Sequence, residues 1–421
     1  MGKVVKLDAQ DKAHGKGPVR RSARRRRSKS ALVLGGGGFT GGVYEIGALR
    51  ALDLLSVNRS VNQFDVYVGT SAGSLVAALA ANGVTPEEMM RVVNRQATPA
   101  FRDLNLGHLL RPNVLEFASS ALRLPWRSVA LARTLVSQVG QVSALDVVLG
   151  LAEALPTGLY SGAGIERYVR SALSDEGRTD DFRMLEAELY VAATDLDTCE
   201  RIVFGAEDWD DVPISAGVRA STALPMVYKP VEIKGRELVD GGIASTTNID
   251  IAVEAGAKFI VVVNPLVPFV NDFTKRRSTV LGSRERRVSD MGFPQIGYQA
   301  FKLLAYQRLH EVARQWEQRY PGVDILLIEP APDDELMFQT SIMNFASRVD
   351  IARHGFQSVT LKLAEDYDHF QEVADRHGME ISPTRLRKVV KRFATEPEPT
   401  RWRKILEQTT GALLRQSAEE R

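Results

Sequence analysis

The 421-residue sequence lacks two features that mark secreted and membrane-spanning proteins. It has a single cysteine, Cys199, which excludes an intrachain disulfide framework and favours a reducing compartment. Its longest apolar runs, such as 259–266, are far shorter than the roughly 20 residues that a bilayer-spanning helix requires. We therefore expect a cytoplasmic protein with no segment that crosses a membrane.

The chain also has little net charge, +2, but that charge is unevenly distributed. Residues 1–30 hold eleven Lys or Arg against two Asp, a net charge of +9, and the remainder carries about −7. A dense cationic run repels itself and resists folding, which predicts a disordered basic tail over 1–30. It is either a tether to an anionic surface or a solvated tail. The partner expected for a tether is the inner membrane surface, and no nucleic acid is expected.

Hydrophobic residues make up 44% of the chain and charged residues 25%, the balance of a globular protein with a full core. The apolar run 31–34 ends in glycines and precedes a helical pattern over 43–55, and the same order recurs with 64–68 and 75–80. This alternation predicts the α/β class, with a mostly parallel sheet covered by helices on both faces. Further strands are predicted over 188–194, 231–238, 259–263 and 324–328.

Other segments interrupt this alternation and suggest domain limits. Residues 100–160 contain scattered leucines, prolines and arginines, which predict a helical insertion over the sheet. Segment 271–290 is polar and basic and is predicted to be a mobile connection, whereas 296–316 has helical periodicity. We expect one main domain over 31–370.

Residues 371–421 are predicted to form a basic helical extension. Within it, 384–393 has the pattern of a basic amphipathic helix that ends before a proline-rich break. Such a helix either contacts a membrane surface or packs on the domain with a solvated basic face.

The turn Gly69-Thr70-Ser71-Ala72-Gly73 lies between a predicted strand and a predicted helix. A serine alcohol is a weak nucleophile at neutral pH and needs a base and a fixed, exposed position. A Gly-x-Ser-x-Gly turn provides that position at a helix N-terminus, where backbone N–H groups favour negative charge. Ser71 is thus a candidate nucleophile, and Gly69 and Gly73 let strand and helix approach closely.

Two more glycine motifs suggest partners for that serine. Gly36, Gly37 and Gly38 can present successive N–H groups to an oxyanion. A phosphate-binding loop or a purely structural turn are the alternatives, although no Gly-Lys-Ser/Thr ending follows. Asp240, after the predicted strand 231–238, can accept the serine proton, but Asp-Gly is also a common turn signal.

The three motifs in this order resemble those of the patatin-like phospholipases, with Gly241 and Gly242 completing the aspartate motif. Two further segments are similar to the family pattern: 194–197 followed by 203–205, and 220–225. The resemblance covers about residues 31–265. It implies a three-layer α/β/α variant of the α/β-hydrolase architecture with a Ser-Asp dyad and no catalytic histidine.

Position by position, the resemblance makes Ser71 the nucleophile and Asp240 the base. It makes the amides of Gly36, Gly37 and Gly38 the oxyanion hole. The implied reaction is hydrolysis of an acyl ester of a phospholipid or another lipid through an acyl-enzyme on Ser71. No metal or organic cofactor is implied.

The chain departs from the family pattern at Thr40, where family members usually carry Arg or Lys in support of the oxyanion loop. A smaller departure is Cys199, where many relatives have glycine. Because of Thr40, a catalytically silent lipid- or membrane-binding protein stays open. Acyl transfer to an alcohol in place of water also stays open, because no residue of the sequence excludes it. A third alternative is a histidine-dependent hydrolase that uses His310, His354 or His369, none of which lies in a recognisable turn motif.

Overall fold

The computed structural model describes residues 28–94, 111–114, 116–119, 156–271, 277–279, 282–284, 287–332, 334, 336–337 and 347–395. The predicted basic tail over 1–30 lies outside them except for its last three residues. The predicted insertion over 100–160 also lies outside, except for 111–114, 116–119 and 156–160.

The described strands are β1 (Ser30–Leu34), β2 (Val66–Thr70), β3 (Gly158–Tyr160), β4 (Glu188–Asp195), β5 (Arg201–Phe204), β6 (Met226–Tyr228), β7 (Val231–Ile233), β8 (Arg236–Asp240), β9 (Phe259–Val263), β10 (Arg277–Thr279), β11 (Gly282–Arg284) and β12 (Asp324–Ile328). The described helices are α1 (Gly38–Leu55), α2 (Ala72–Ala81), α3 (Pro86–Val93), α4 (Ala163–Ala172), α5 (Ile214–Ser221), α6 (Ile249–Glu254), α7 (Phe293–Ala313), α8 (Trp316–Arg319), α9 (Arg348–Glu365), α10 (Tyr367–Arg376) and α11 (Pro383–Thr395).

Eight of these strands form the central sheet, in the order β12-β9-β1-β2-β4-β8-β7, with β5 also paired to β4. The strands from β12 to β4 are parallel to one another. The remaining pairs, β4–β5, β4–β8 and β7–β8, are antiparallel. The prediction of a mostly parallel α/β sheet is therefore confirmed, and its antiparallel part is confined to one end.

Both faces of the sheet are buried, because alternate residues of a strand point to opposite sides. Leu32, Leu34 and Tyr67 pack into one hydrophobic cluster with α1, α2 and α9. Val33 and Val68 pack into a second cluster, with α6 and Leu309 of α7. The predicted three-layer arrangement follows from these two clusters.

Several element boundaries differ from the sequence prediction. Strand β1 begins at Ser30, inside the predicted tail, and α1 begins at Gly38, five residues before the predicted start. The predicted strand 231–238 is a hairpin, since Lys234 and Gly235 both have positive φ, 52° and 74°, and reverse the chain between β7 and β8.

The basic helix α11 packs into the domain. Its Leu386 and Val389 are buried in the first cluster, so its apolar face contacts the core and its basic face points to solvent. Helix α10 crosses the predicted boundary at 370, and its Phe370 and Val373 are buried in the same cluster. The described residues up to 395 therefore share one core. The predicted connection 271–290 contains the hairpin of β10 and β11.

Candidate active site

Ser71 lies at a strained corner between β2 and α2. Its φ and ψ are 53° and −128°, a conformation that residues other than glycine rarely adopt. The corner is fixed from behind, because the Ser71 N–H donates to Ser221 Oγ at 2.8 Å and the Ser74 hydroxyl donates to the Ser71 carbonyl at 2.5 Å. The hydroxyl of Ser71 is thereby held at the N-terminus of α2.

Glycine is required two residues further, at Gly73. A Cβ at that position would lie 2.5 Å from the carbonyl oxygen of Leu34, so any side chain would force α2 away from the end of β1. Gly69, at the other end of the motif, lies within β2. The elbow is thus a close contact between backbones, as the sequence motif predicts.

Sheet register brings Ser71 and Asp240 to the same level on either side of β4. Thr70 lies opposite Ala192 in the parallel pair, so the next residue, Ser71, is level with Ala193. On the other side of β4, Asp240 lies opposite Ala193 in the antiparallel pair. Two strand spacings of about 4.8 Å separate the two backbones, a gap that one serine and one aspartate side chain can bridge.

The two side chains meet directly. Ser71 Oγ donates to Asp240 Oδ2 at 2.6 Å, and both residues are buried. The other carboxylate oxygen, Oδ1, accepts from the Gly242 N–H at 2.8 Å, which fixes the carboxylate plane. Gly241 and Gly242 form a short 3₁₀ turn, and a Cβ at Gly241 would lie 2.2 Å from the Ala192 carbonyl oxygen.

Burial raises the pKa of Asp240 to about 6, against the lowering effect of the hydrogen bonds from Ser71 and Gly242. A carboxylate of that basicity is ionised at neutral pH and is a stronger proton acceptor than an exposed aspartate. The site therefore combines a serine hydroxyl with a buried carboxylate that is more basic than an exposed aspartate.

The glycine loop runs beside the nucleophile. A Cβ at Gly36 would lie 3.4 Å from Ser71 Cβ, which places the loop against the reacting hydroxyl. The Gly36 N–H, however, donates to the Thr246 carbonyl at 3.0 Å and is engaged in this conformation. Gly37 and Gly38 are the N-cap and first residue of α1, positions whose N–H groups have no intrahelical acceptor.

Two helix N-termini converge on this loop. A Cβ at Gly42, near the start of α1, would lie 3.2 Å from the Cβ of Ala72, which opens α2. Each N-terminus carries a partial positive charge of roughly half an elementary charge. The converging dipoles supply positive potential where Thr40, buried in α1, stands in place of a basic residue.

Helix α7 forms a further wall of the site, which the sequence did not indicate. The Phe301 ring lies 3.8 Å from the position of a Cβ at Gly242. The pKa of Tyr298 is raised by burial and also by the negative charge of Asp240. The ammonium of Lys302 lies 4.6 Å from the Tyr298 ring centroid, and burial lowers its pKa to about 8.

Three other contacts hold the site in place, and they come from residues outside the three glycine motifs. Ser221 holds the Ser71 amide, and the Ala223 carbonyl accepts the Asp240 N–H at 3.0 Å, so the segment 220–225 supports both members of the pair. Asn248, in a left-handed conformation, donates to Thr70 Oγ1 at 2.9 Å. The sequence signalled the segment 220–225 only as a family match, and it did not signal Asn248.

The histidines considered as alternative bases have other partners. His310 Nε2 lies 2.9 Å from Glu329 Oε2, His354 is bonded to Asp334, and His369 packs edge-on against Phe370. The residue that accepts the Ser71 hydroxyl is Asp240.

The other family-like segment, which begins at 194–197, forms a turn between β4 and β5. Asp195 is buried, accepts from the N–H of Asp197 at 3.0 Å, and pairs with Arg236 at 3.0 Å. Cys199 in this turn has φ of 60°, a left-handed conformation that glycine adopts more readily, which explains why glycine suits this position.

Within the described ranges, no helix has the length and apolar content needed to cross a bilayer. Over the same residues, no group of three or more His, Cys, Asp or Glu side chains is arranged to hold a metal ion.

Comparison with known proteins yields one family. A family model described as patatin-like phospholipase matches residues 32–253, more than half of the chain. A similar protein is the probable lipid hydrolase 463L of Invertebrate iridescent virus 6, 23% identical over 229 residues. That match covers 53% of this chain and 63% of the viral protein, so the chain spans less than two thirds of that relative's length.

Solved structures give more distant similarities. VipD from Legionella pneumophila is 13% identical, with a TM-score of 0.34, over 80% of this chain and 67% of VipD. The complex of SpcU with ExoU from the type III secretion system of Pseudomonas aeruginosa matches with 14% identity and a TM-score of 0.29. That match covers 84% of this chain and 59% of the matched one.

Proposed function

Because this chain belongs to the patatin-like phospholipase family, we propose that it hydrolyses acyl esters of lipids through a dyad of Ser71 and Asp240. The family model ends at residue 253 and so includes both residues. The observation that carries the proposal is the 2.6 Å hydrogen bond from Ser71 Oγ to Asp240 Oδ2. It joins an elbow serine directly to a buried carboxylate whose pKa is raised to about 6.

Acylation begins when Ser71 Oγ attacks the ester carbonyl carbon while Asp240 takes its proton. The carbonyl oxygen becomes an oxyanion, which the N–H groups of Gly37 and Gly38 stabilise together with the two helix dipoles. Asp240 then gives the proton to the departing alcohol, and the acyl group stays on Ser71. Preorganised donors of this kind typically lower the barrier by several kcal/mol.

Deacylation repeats these steps with water. Asp240, again ionised, takes a proton from a water molecule that attacks the acyl-enzyme, and the second oxyanion occupies the same hole. Collapse releases the fatty acid and returns the proton to Ser71. An alcohol in place of water would give acyl transfer by the same route.

A second candidate, a catalytically silent lipid-binding protein, is favoured by one observation, Thr40 in place of the basic residue. The convergence of α1 and α2 argues for activity instead, since it provides positive potential without that side chain.

The test is product analysis with the purified 421-residue protein and its Ser71→Ala variant. The substrates are phospholipids, lysophospholipids, glycerides and short p-nitrophenyl esters, with released fatty acid measured by mass spectrometry. We expect release by the wild type and background release by Ser71→Ala, with circular dichroism confirming that the variant is folded. Equal release by both proteins, or none by either, would contradict the proposal. A second incubation with an alcohol acceptor separates hydrolysis from acyl transfer.

A further inference from the structure

Helix α7 has two unlike faces, and its outer face takes no part in the chemistry proposed above. The inner face lies beside the dyad and presents Tyr298, Phe301 and Lys302, spaced three and four residues apart. The outer face carries four small or apolar residues with the spacing of a helical stripe: Ile296, Ala300, Leu303 and Leu304.

The exposure of this stripe is the reverse of what a helix packed on a sheet normally shows. Leu304 is 70% exposed, Ile296 46% and Leu303 44%, whereas Lys302 on the inner face is buried. Single exposed leucines are ordinary, but a stripe of them along one helix face is typical of a surface that binds something apolar.

Two segments that contact α7 also carry an exposed apolar residue. Ile243 is exposed and ends the 3₁₀ turn that begins directly after Asp240. Val270 is exposed and follows Phe269, whose N–H and carbonyl are both held by the Gln299 side chain of α7, at 3.2 and 2.9 Å. The five residues Ile243, Val270, Ile296, Leu303 and Leu304 are called the docking face below.

Positive charge lies next to the docking face in the sequence. Residues 275–287 hold six Lys or Arg against one Glu, a net charge of +5. They include the hairpin of β10 and β11, which a 3₁₀ turn over Val288–Met291 separates from α7. Apolar residues flanked by cations are the combination that binds the interface of an anionic bilayer, because acyl chains take up the apolar groups and head groups attract the cations.

We propose that the docking face binds the surface of an anionic lipid bilayer and thereby presents the Ser71–Asp240 site to ester bonds in that surface. The purpose of such docking rests on the proposed function, but the binding itself is measured independently of catalysis. A second copy of this chain is the alternative occupant, and the experiments below distinguish it from a bilayer.

Tryptophan placement tests the contact directly. Leu304→Trp in the inactive Ser71→Ala background is mixed with phosphatidylglycerol vesicles that contain brominated lipid, and its fluorescence is compared with that of the parent. We expect added fluorescence that shifts to the blue and is quenched by the brominated chains. The matched control is Met184→Trp, because Met184 is 72% exposed and lies just before β4, away from α7 in the chain. Its fluorescence should not respond.

Vesicle sedimentation gives the affinity. The double variant Leu303→Ser/Leu304→Ser should bind phosphatidylglycerol vesicles at least about tenfold more weakly. The two side chains are 44% and 70% exposed, so together they offer the lipid about the surface of one leucine, and its transfer free energy corresponds to about that change in affinity. Its control is Leu361→Ser/Met184→Ser, which removes side chains of matching exposure, 43% and 72%, and should bind as the parent does. Binding of the parent should weaken with added salt and with neutral phosphatidylcholine.

Four results would overturn the proposal. Absence of quenching in the Leu304→Trp variant, or equal loss of binding in both double variants, would show that lipid does not contact this face. Fluorescence of the Leu304→Trp variant that is already blue-shifted before vesicles are added would show that another part of the chain covers the position. A dimer in solution that Leu303→Ser/Leu304→Ser dissociates would assign the face to a second copy.

A separate assay distinguishes failure of docking from failure of the proposed function. Hydrolysis of a soluble p-nitrophenyl ester, measured with proteins that keep Ser71, reports on the dyad alone because such a substrate needs no bilayer. Leu303→Ser/Leu304→Ser should keep that activity even where it no longer binds vesicles.

Discussion

The two halves of the central sheet contribute to the site in different ways. The parallel half, from β12 to β4, supplies the elbow serine and the glycine loop at the carboxyl ends of β2 and β1. The antiparallel half supplies Asp240, at the end of β8, together with the 3₁₀ turn that fixes its carboxylate. The proposed nucleophile and oxyanion donors thus come from one half and the proposed base from the other.

This difference shows that the dyad depends on the junction at β4. Ser71 and Asp240 are level with the same residue, Ala193, only while β2 and β8 keep their registers on either side of that strand. A slip of one residue in either pair would turn a catalytic side chain to the opposite face. Both halves must therefore be intact for the hydrogen bond between them to form.

The largest expected effect comes from removing the base contributed by the antiparallel half. Asp240→Asn should lower kcat/KM for a p-nitrophenyl ester about 10³-fold, because the serine proton then has no acceptor. Turnover and circular dichroism are measured together. The control Asp324→Asn, at the start of β12 on the opposite edge of the sheet, should keep activity within a few fold of the wild type. A folded Asp240→Asn variant with wild-type turnover would rule out the dyad.

Gly241→Ala should break the junction itself. The added Cβ would lie 2.2 Å from the Ala192 carbonyl oxygen, so β8 must shift and Asp240 must leave its register. We expect a loss of about 1–3 kcal/mol in the free energy of unfolding, measured by urea denaturation, with severe loss of esterase activity. Gly297→Ala is the control, since nothing lies within 4 Å of its Cβ position and alanine favours a helix. Equal stability of the two variants would contradict tight packing at the junction.

Lowering the pH should protonate Asp240 and reduce kcat/KM. As the proposed base, Asp240 must be ionised, and its pKa is raised to about 6. The ionised fraction of Asp240 therefore falls tenfold for each pH unit below that value, and nearly all of the protein carries the ionised form above it. A plot of log kcat/KM for a soluble ester should rise with unit slope and level off near pH 6. A plateau that extends down to about pH 4, the range of an exposed aspartate, would contradict the buried environment of this carboxylate.

Ser221→Ala should reduce activity less than the three changes above. It acts on Ser71, the member of the pair that the parallel half supplies. It removes the acceptor of the buried Ser71 N–H, which costs about 1–3 kcal/mol of stability and loosens the strained corner. We expect kcat to fall about tenfold with little change in KM. Ser221→Thr keeps a hydroxyl there and should recover part of kcat. Equal kcat for Ser221→Ala and wild type would show that the corner is held without this bond.

The parallel half could be predicted because its local signals agree with its fold. The runs 259–263 and 324–328 are largely apolar and match the observed strands β9 and β12 residue for residue. Ser71 could be chosen as a candidate because its Gly-x-Ser-x-Gly turn lies between a predicted strand and a predicted helix and occurs together with two further glycine motifs.

The antiparallel half was harder to predict, since its strands are short and its turns decide their direction. The run 231–238 looks like one strand unless the positive φ at Lys234 is known, and lysine gives little sign of it. The approach of Tyr298 and Phe301 to the dyad is also a long-range packing result that helical periodicity cannot reveal. The hydrogen bond from the Gly36 N–H to the Thr246 carbonyl also joins distant parts of the chain, so the sequence could not reveal it either.

The most direct test of the central claim is the rate at which a fluorophosphonate probe modifies the purified protein, followed by intact mass and peptide mapping. We predict one adduct per chain on Ser71, no adduct on Ser71→Ala, and labelling slowed by orders of magnitude in folded Asp240→Asn. Labelling of Ser71 at an undiminished rate in Asp240→Asn, or an adduct on another serine, would contradict the assignment of Ser71 and Asp240 as a functional pair.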